Sequence, residues 1–482
     1  MNQLTSLGDE ARIALDTAAG RAAGLFSPNL RLGVTGLSRA GKTVFITALV
    51  HNLIHGGRLP LFDPVRSGRL ARAYLEPQPD DSVPRFAYED HVRALVDERI
   101  WPESTRSISQ LRLTVEYESA SGWNRMFGRG RLHIDIVDYP GEWLLDLPLL
   151  GKDFRTFSAE ATEQSESAVR SEVARQWRAI ADAIDPDADA DEAQAETLAR
   201  AFRAYLAECR AASRSLSTLP PGRFLMPGDM EGSPALTFAP LTRMSDRARS
   251  GSMQALMQRR YEAYKSLVVK PFFRAHITRL DRQIVLVDAL SAINAGHEAV
   301  ADLERALTEI LTCFRPGRNN PFSALFQRRI DRILVAATKA DHLHHESHRR
   351  LEAIIDRLVE RAVRKASLSG ASVNTVAMAA VRATREATVT EDGETLPVVV
   401  GTPIDGEKIG DEVFDGNKET AVFPGDLPDD PGKLLEAREG AGQRFVRMRP
   451  PRLERTAEGM TLSLPHIRLD KALQFLLGDR LA

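Results

Sequence analysis

Residues 36–43 read Gly-Leu-Ser-Arg-Ala-Gly-Lys-Thr, and they lie between an apolar run at 30–35 and a segment at 44–54 with apolar residues at helical spacing. This is the complete P-loop pattern in the strand–loop–helix setting that it requires. Gly36 and Gly41 allow backbone N–H groups to face phosphates, and the helix start adds the positive end of its dipole. The pattern predicts that the following residues bind a nucleoside triphosphate: Gly36, Ser38, Arg39, Ala40, Gly41, Lys42, Thr43 and Val44.

Two side chains of this loop carry most of the predicted chemistry. Lys42 is expected to reach the β and γ phosphates, and the Thr43 hydroxyl is expected to bind Mg²⁺, which neutralises phosphate charge. The alternative is a glycine-rich turn that holds no ligand. Eight matched positions in one strand–loop–helix setting favour the nucleotide site.

The composition excludes some other classes of protein. Over 482 residues, 64 Lys and Arg nearly balance 66 Asp and Glu, so no overall charge attracts nucleic acid, and no nucleic-acid partner is predicted. Cys209 and Cys313 cannot form a disulfide framework and are typical of a reducing compartment. Residues 1–26 lack the pattern of a signal peptide, and no apolar run approaches about 18 residues. We expect a cytoplasmic protein that is soluble or peripheral to a membrane.

Two strand-like runs, 109–117 and 131–137, follow the P-loop helix and a long polar stretch, and the second run ends in Asp138-Tyr-Pro-Gly141. An acidic residue at a strand end can hold Mg²⁺ through water, and the Gly141 N–H can bind a γ-phosphate. The alternative is that Asp138 is an ordinary turn residue. The position after a P-loop and a hairpin favours the metal site.

A second site is predicted where the strand-like run 332–337 leads into Thr338-Lys-Ala-Asp341. A carboxylate here can accept both the ring N–H and the amino N–H of guanine, and adenine offers no such pair. We expect Asp341 to select guanine, Lys339 to lie over the base plane and Thr338 to tie the loop to its neighbours. The alternative is a strand end followed by a helix N-cap. A last strand, 374–380, leads to Ala380 and Val381, whose N–H groups are predicted to contact the guanine oxygen.

The order of these motifs resembles that of the translation-factor and Ras-like GTPases, with Thr105 in the position of the switch threonine. Within that class, the P-loop together with Asp-Tyr-Pro-Gly-Glu-Trp-Leu-Leu-Asp-Leu-Pro at 138–148 and a long helical insertion resembles the YcjX-like family of bacterial GTP-binding stress proteins. The resemblance implies a cytoplasmic GTPase linked to envelope stress, with GTP or GDP and Mg²⁺ bound and a YcjF-like membrane protein as a partner. It implies these metal-contacting residues: Thr43, Thr105 and Asp138.

The order of the motifs and the helical spacing of apolar residues between 150 and 279 set the predicted fold and domains. We expect an α/β fold: a P-loop NTPase sheet of the Ras-like G-domain type flanked by helices, with a large helical insertion and a small β/loop extension. The G-domain is assigned to 28–149 and 280–385, and the helical insertion to 150–279. A β-hairpin/loop extension and a C-terminal helix, 386–482, are expected to pack on the G-domain.

Catalysis is expected to be slow, because Glu142 stands where Ras-like proteins have a water-positioning Gln, and a carboxylate repels a γ-phosphate. Arg39 resembles the internal arginine finger of guanylate-binding proteins, which acts in a homodimer joined through the G-domains; the alternative is an exposed arginine. The prediction is a slow GTPase switch. A nucleotide-binding scaffold with negligible hydrolysis and a P-loop ATPase remain as alternatives. The candidate catalytic residues are Lys42, Arg39, Thr105, Gly141 and Glu142.

Overall fold

Seven strands form the central sheet of the computed structural model, which describes residues 28–37, 39–103, 107–120, 129–211, 214–314, 330–367, 371–391, 394–409, 411–436, 445–453 and 463–482. The strands are β1 (Asn29–Gly36), β2 (Leu70–Glu76), β3 (Ser109–Tyr117), β4 (Gly130–Asp138), β5 (Arg282–Val287), β6 (Arg332–Ala337) and β7 (Ser372–Ala377). Their spatial order is β2-β3-β4-β1-β5-β6-β7.

Most of this sheet is parallel. Strand β1 runs parallel to both of its neighbours, β4 and β5, and β6 and β7 continue in the same direction. Strands β2 and β3 form antiparallel pairs at the other side of the sheet. In open sheets of this type, ligands bind beyond the carboxyl ends of the parallel strands. The sequence motifs after Gly36, Asp138 and Ala337 all fall at this edge.

The sheet has a hydrophobic core on each face. All six residues of β5 are buried. Ile284 and Leu286 belong to one cluster, and Val285 and Val287 belong to the other, as the alternation of side chains along a strand requires. A strand that is apolar on both faces is typical of the centre of an α/β sheet covered by helices on both sides.

Helices cover both faces and also form a separate layer. The α-helices are α1 (Lys42–Ile54), α2 (Asp63–Arg66), α3 (Tyr88–Arg93), α4 (Phe154–Ser165), α5 (Ala168–Ala183), α6 (Glu192–Arg210), α7 (Gly222–Leu225), α8 (Met253–Tyr264), α9 (Lys270–Ala275), α10 (Ala289–Ala295), α11 (His297–Cys313), α12 (His348–Ser367), α13 (Lys433–Glu436) and α14 (Leu469–Leu477). A 3₁₀-helix, Gly141–Gly151, follows β4, and π-helical turns extend α3 (Ala94–Glu98) and α8 (Lys265–Val269).

Residues 154–279, which we call the helical segment, carry α4 to α9 between β4 and β5. Aromatic side chains pack at its centre: Trp177 stacks on Tyr205 with ring centroids 5.3 Å apart, and Phe157 stacks on Tyr261 at 5.0 Å. These rings belong to the same hydrophobic cluster as Val285 of the sheet. The helical segment therefore packs directly on the central sheet.

The part of the chain after β7 returns to the sheet. Strands β8 (Arg385–Glu391), β9 (Glu394–Gly401) and β12 (Thr420–Val422) form a small antiparallel sheet, and β10 (Lys408–Ile409) pairs with β11 (Glu412–Val413). Helix α14 then packs its leucines against the cluster that contains Leu30 of β1. The backbone of Leu464 exchanges hydrogen bonds with the Asn52 amide, and the Leu61 N–H donates to the Asp470 carboxylate at 2.9 Å.

These observations confirm the predicted fold class, an α/β P-loop sheet flanked by helices with a large helical insertion and a small β extension. Strand β7 ends at Ala377, earlier than the predicted 380. Beyond that residue the chain no longer pairs with β6, and Ala379 pairs with Ile467 instead. Among the described residues, none of the helices has both the length and the apolar composition needed to cross a membrane.

Candidate nucleotide-binding site

The phosphate loop connects β1 to α1 by a tight turn. The Ala40 N–H donates to the Leu37 carbonyl at 3.0 Å, and both Arg39 (φ 60°) and Gly41 (φ 77°) are in the left-handed region. Glycine adopts this conformation at no steric cost, whereas a residue such as Arg39 holds it at a cost of about 1–2 kcal/mol and is found so mainly at functional sites. The amino-terminal N–H groups of α1 face the end of this loop. Ser38 lies outside the described residues.

Lys42 and Asp138 form an ion pair at the carboxyl edge of the sheet. The Lys42 Nζ lies 2.9 Å from the Asp138 Oδ1, and the two side chains are 11% and 1% exposed. Asp138 ends β4, where it stands beside Val34 of β1 in the parallel register. The strand pairing thus places the acidic residue of one motif directly against the amine of the other.

Two of the three predicted metal contacts offer oxygen ligands suited to Mg²⁺. Thr43 is buried, and its hydroxyl donates to the Glu103 carbonyl at 3.3 Å. A hydroxyl and a buried carboxylate are both oxygen ligands, which a hard cation prefers, so the donor set of Thr43 and Asp138 is compatible with Mg²⁺. Thr105, the third predicted metal contact, lies outside the described residues.

Gly141 lies against the backbone of the phosphate loop. A Cβ at this position would stand 1.9 Å from the carbonyl oxygen of Gly36, a distance at which no side chain can be accommodated. Only glycine therefore fits at position 141. Its close approach to Gly36 places the segment after β4 directly against the loop. Glu142 follows, buried at 6% exposure, and its Oε1 lies 2.5 Å from the Arg210 Nη2 at the end of α6.

The 3₁₀-helix Gly141–Gly151 is almost entirely buried, and both the helical segment and α11 pack on it. Trp143 packs between Arg223, whose guanidinium carbon lies 3.3 Å from the ring centroid, and Phe272 at 5.3 Å. Further along, Asp146 accepts hydrogen bonds from the Gly222 N–H at 2.7 Å and from the Tyr264 hydroxyl at 2.6 Å. Burial raises the pKa of Asp146 to about 7, although these hydrogen bonds act to lower it.

The loop after β6 is held by neighbouring strand ends. The Thr338 N–H and hydroxyl both donate to the Val287 carbonyl, at 2.9 and 3.2 Å. Lys339 has φ 60°, and its amine pairs with the buried carboxylate of Asp288. Burial acts to raise the pKa of Asp288, but the charge of Lys339 and hydrogen bonds from Lys339 and Ser291 outweigh it, and this pKa is lowered.

Asp341 is buried at 4% exposure and is fixed by the chain that follows β7. The Ala383 N–H donates to its Oδ2 at 2.9 Å, and the Thr384 hydroxyl donates to its backbone carbonyl. Such contacts orient the carboxylate without neutralising it, which is what recognition of N–H donors requires.

A cavity of about 840 Å³ joins the two ends of this site. Among the predicted site residues that the structure describes, Asp138 and Gly141 do not line the cavity. Each lies against a residue that does: Asp138 against Lys42, and Gly141 against Gly36. The predicted residues that line the cavity are Gly36, Arg39, Ala40, Gly41, Lys42, Thr43, Val44, Glu142, Thr338, Lys339, Asp341, Ala380 and Val381.

The comparison with family models agrees with this geometry. The model of the YcjX-like family, DUF463, matches residues 30–481. The chain belongs to the YcjX-like family. This confirms the resemblance found in the motifs.

Two relatives of this YcjX-like chain cover almost its whole length. The Ras-like GTPase YcjX of Escherichia coli (strain K12) is 38% identical over 466 residues, which are 94% of this chain and 96% of the relative. The protein of the same name from Shewanella oneidensis is 35% identical over 478 residues, 94% of this chain and 95% of the relative.

The cavity of this YcjX-like chain has a wall that the sequence did not predict. Its residues come from 99–103, 404–405, 415–417 and 447–450. The Trp101 indole N–H donates to the Met448 carbonyl at 2.6 Å, and the Arg99 Nε–H donates to the Pro450 carbonyl at 3.0 Å. Burial lowers the pKa of Arg99, and the nearby Arg449 and Arg452 lower it further. No local pattern marks these residues, because the contacts join segments about 350 positions apart.

Proposed function

We propose that this protein binds GTP and GDP with Mg²⁺ and hydrolyses GTP slowly, as a nucleotide-dependent switch. The observation that carries the proposal is that one cavity is lined by the phosphate loop and by Thr338, Lys339 and Asp341. The first group suits a triphosphate, and the second suits a guanine base. The name Ras-like GTPase carried by both relatives supports the same activity.

Preference for guanine over adenine would rest on Asp341. Asp341 lines the cavity; the Ala383 N–H donates to its carboxylate, and the Thr384 hydroxyl donates to its backbone carbonyl. A fixed, buried acceptor pairs with the two N–H groups of guanine and is left unpaired by adenine, and an unpaired buried polar group is costly.

The phosphate end of the cavity would work through three side chains. Lys42 would exchange its contact with Asp138 for the β and γ phosphates, while Thr43 and Asp138 would hold Mg²⁺ directly or through water. The metal, when bound, neutralises charge on the phosphates. Gly141 would present its N–H to the γ-phosphate, from its position against the Gly36 backbone.

Hydrolysis would be slow because Glu142, rather than an amide, stands beside the predicted γ-phosphate position. Thr105 and Arg39 remain the predicted switch threonine and arginine finger, the latter acting in a homodimer. A role in envelope stress, a YcjF-like membrane partner and a cytoplasmic location, with peripheral association at the inner membrane, rest on the family resemblance.

Competition binding and phosphate release test the proposal together. A fluorescent GTP analogue is titrated with purified protein in Mg²⁺, unlabelled GTP, GDP and ATP compete for it, and phosphate release is then followed. We expect GTP and GDP to compete and ATP to fail. Lys42→Ala should abolish binding, and the exposed Lys408→Ala should change nothing. Equal competition by ATP would overturn the guanine assignment, and unchanged binding by Lys42→Ala would overturn the site.

A further inference from the structure

Glu142 is held by the helical segment through both its backbone and its side chain. A Cβ on Gly222 would stand 1.8 Å from the Glu142 carbonyl oxygen, so the two backbones are in direct contact. The carboxylate lies 2.5 Å from the guanidinium of Arg210. Both Glu142 and Arg210 line the cavity of the candidate site.

Arg210 is itself well placed to hold a carboxylate. It is the last residue of α6, a 19-residue helix, where the carbonyl end of the helix dipole favours a cation. Its Nη1 also contacts the Met226 sulfur at 3.7 Å, and its side chain is about one quarter exposed, on the cavity side. A guanidinium that another contact already holds loses less additional freedom when it pairs with Glu142.

The charge of this pair bears on hydrolysis. A lone carboxylate beside a γ-phosphate repels it strongly where water is excluded. A carboxylate in contact with a guanidinium forms a pair without net charge, and its position is fixed by a charge-assisted hydrogen bond. Glu142 can then orient the attacking water at the place where Ras-like proteins use a glutamine.

We infer that Arg210, a residue of the helical segment, is a positioning residue that holds Glu142 in place for GTP hydrolysis. The inference rests on the proposed function, because it concerns the rate of that reaction. The helical segment would then contribute a residue to GTP hydrolysis at the edge of the central sheet of the same chain.

A double-mutant cycle tests it. Wild type, Arg210→Ala, Glu142→Gln and the double variant are compared for affinity toward a fluorescent GTP analogue and for single-turnover hydrolysis with protein in excess. Arg210→Ala should leave affinity within about threefold and slow hydrolysis about tenfold or more. In the Glu142→Gln background the same change should alter the rate less than about threefold, because no carboxylate remains to be held.

Two further variants complete the design. Arg210→Lys, which keeps a cation at the end of α6, should recover part of the rate and serves if the alanine variant unfolds. Arg200→Ala, an exposed arginine on the same helix that pairs with Glu196 at 3.5 Å, is the matched control and should behave as wild type.

An unchanged rate in Arg210→Ala would overturn the inference, while binding and hydrolysis by wild type would still support the proposed function. An equal loss in both backgrounds would also overturn it, since Arg210 would then act on the nucleotide itself. If wild type neither binds nor hydrolyses GTP, the proposed function fails and the inference fails with it.

Discussion

The buried carboxyl group of Asp146 makes the contact between the 3₁₀-helix Gly141–Gly151 and the helical segment sensitive to pH. Asp146 is 2% exposed, and it accepts hydrogen bonds from the Gly222 N–H and the Tyr264 hydroxyl. Asparagine preserves this geometry: its carbonyl oxygen can face the N–H of Gly222, and its amide can donate to the oxygen of Tyr264. Asp146→Asn therefore replaces a titrating group by a neutral one of the same shape.

The magnitude follows from the two pKa values. Burial raises the pKa of Asp146 to about 7 in the folded protein, and an unfolded chain has about 3.9. Below about pH 4 both states are protonated; between about pH 4 and 7 only the folded state keeps the proton. The free energy of unfolding therefore falls by about 1.4 kcal/mol per pH unit as pH rises through this window, and by about 4 kcal/mol in all.

Urea denaturation of wild type and Asp146→Asn at pH 5, 6, 7 and 8 measures this effect. The stability of the variant relative to wild type should rise by about 3 kcal/mol from pH 5 to pH 8. His276, whose pKa is lowered to about 4 by burial and by nearby arginines, is present in both proteins and cancels in the difference. The exposed Asp182→Asn should stay within about 0.5 kcal/mol of wild type. A difference between wild type and Asp146→Asn that does not change with pH would refute the reasoning.

Three further substitutions test the site. Gly141→Ala places a methyl group 1.9 Å from the Gly36 carbonyl oxygen, and the resulting strain should weaken GTP binding about tenfold in a titration; unchanged affinity would contradict the packing argument. Asp341→Asn turns an acceptor into a donor and should cost about 1–3 kcal/mol of discrimination between GTP and ATP in competition binding, so intact discrimination would exclude Asp341 from base recognition. Trp101→Phe removes the N–H donated to Met448, a loss of about 1 kcal/mol that should speed nucleotide release about fivefold in stopped-flow; an unaltered release rate would show that this contact does not close the cavity.

The parts of the fold that follow from local pattern were predicted well. Strands β1, β3, β4, β6 and β7 are continuous apolar or alternating runs; Gly36 ends β1, Lys42 begins α1, and Asp341 lies in the turn after β6. Strand β2 was missed, because Leu-Ala-Arg-Ala-Tyr-Leu-Glu carries an exposed arginine, Arg72, and reads equally well as a helix. An edge strand needs only one apolar face, and its pairing with β3 depends on the rest of the sheet.

The remaining parts of the site depend on tertiary contacts. Glu142 was identified as a departure from the Ras-like pattern, but nothing in the sequence indicates that Arg210, 68 positions later, contacts it. Trp101 and Met448 are likewise joined across 347 positions. Charge and aromatic content at such positions are typical of solvated surface as well as of a cavity wall, so only the folded arrangement distinguishes the two.

The contacts of α14 determine when, during translation, the fold around the phosphate loop can be completed. Asn52 of α1 and Leu464 are hydrogen-bonded across 412 positions, and Leu61, in the segment after α1, is hydrogen-bonded to Asp470 of α14 across 409. As the ribosome extends the chain, the apolar side chains of the sheet that α14 covers, including those of β6, stay exposed until the leucines of α14 have emerged. The helix after the phosphate loop is thus synthesised about 400 residues before the segment that completes its hydrogen bonds, an arrangement that favours chaperone binding to the nascent chain.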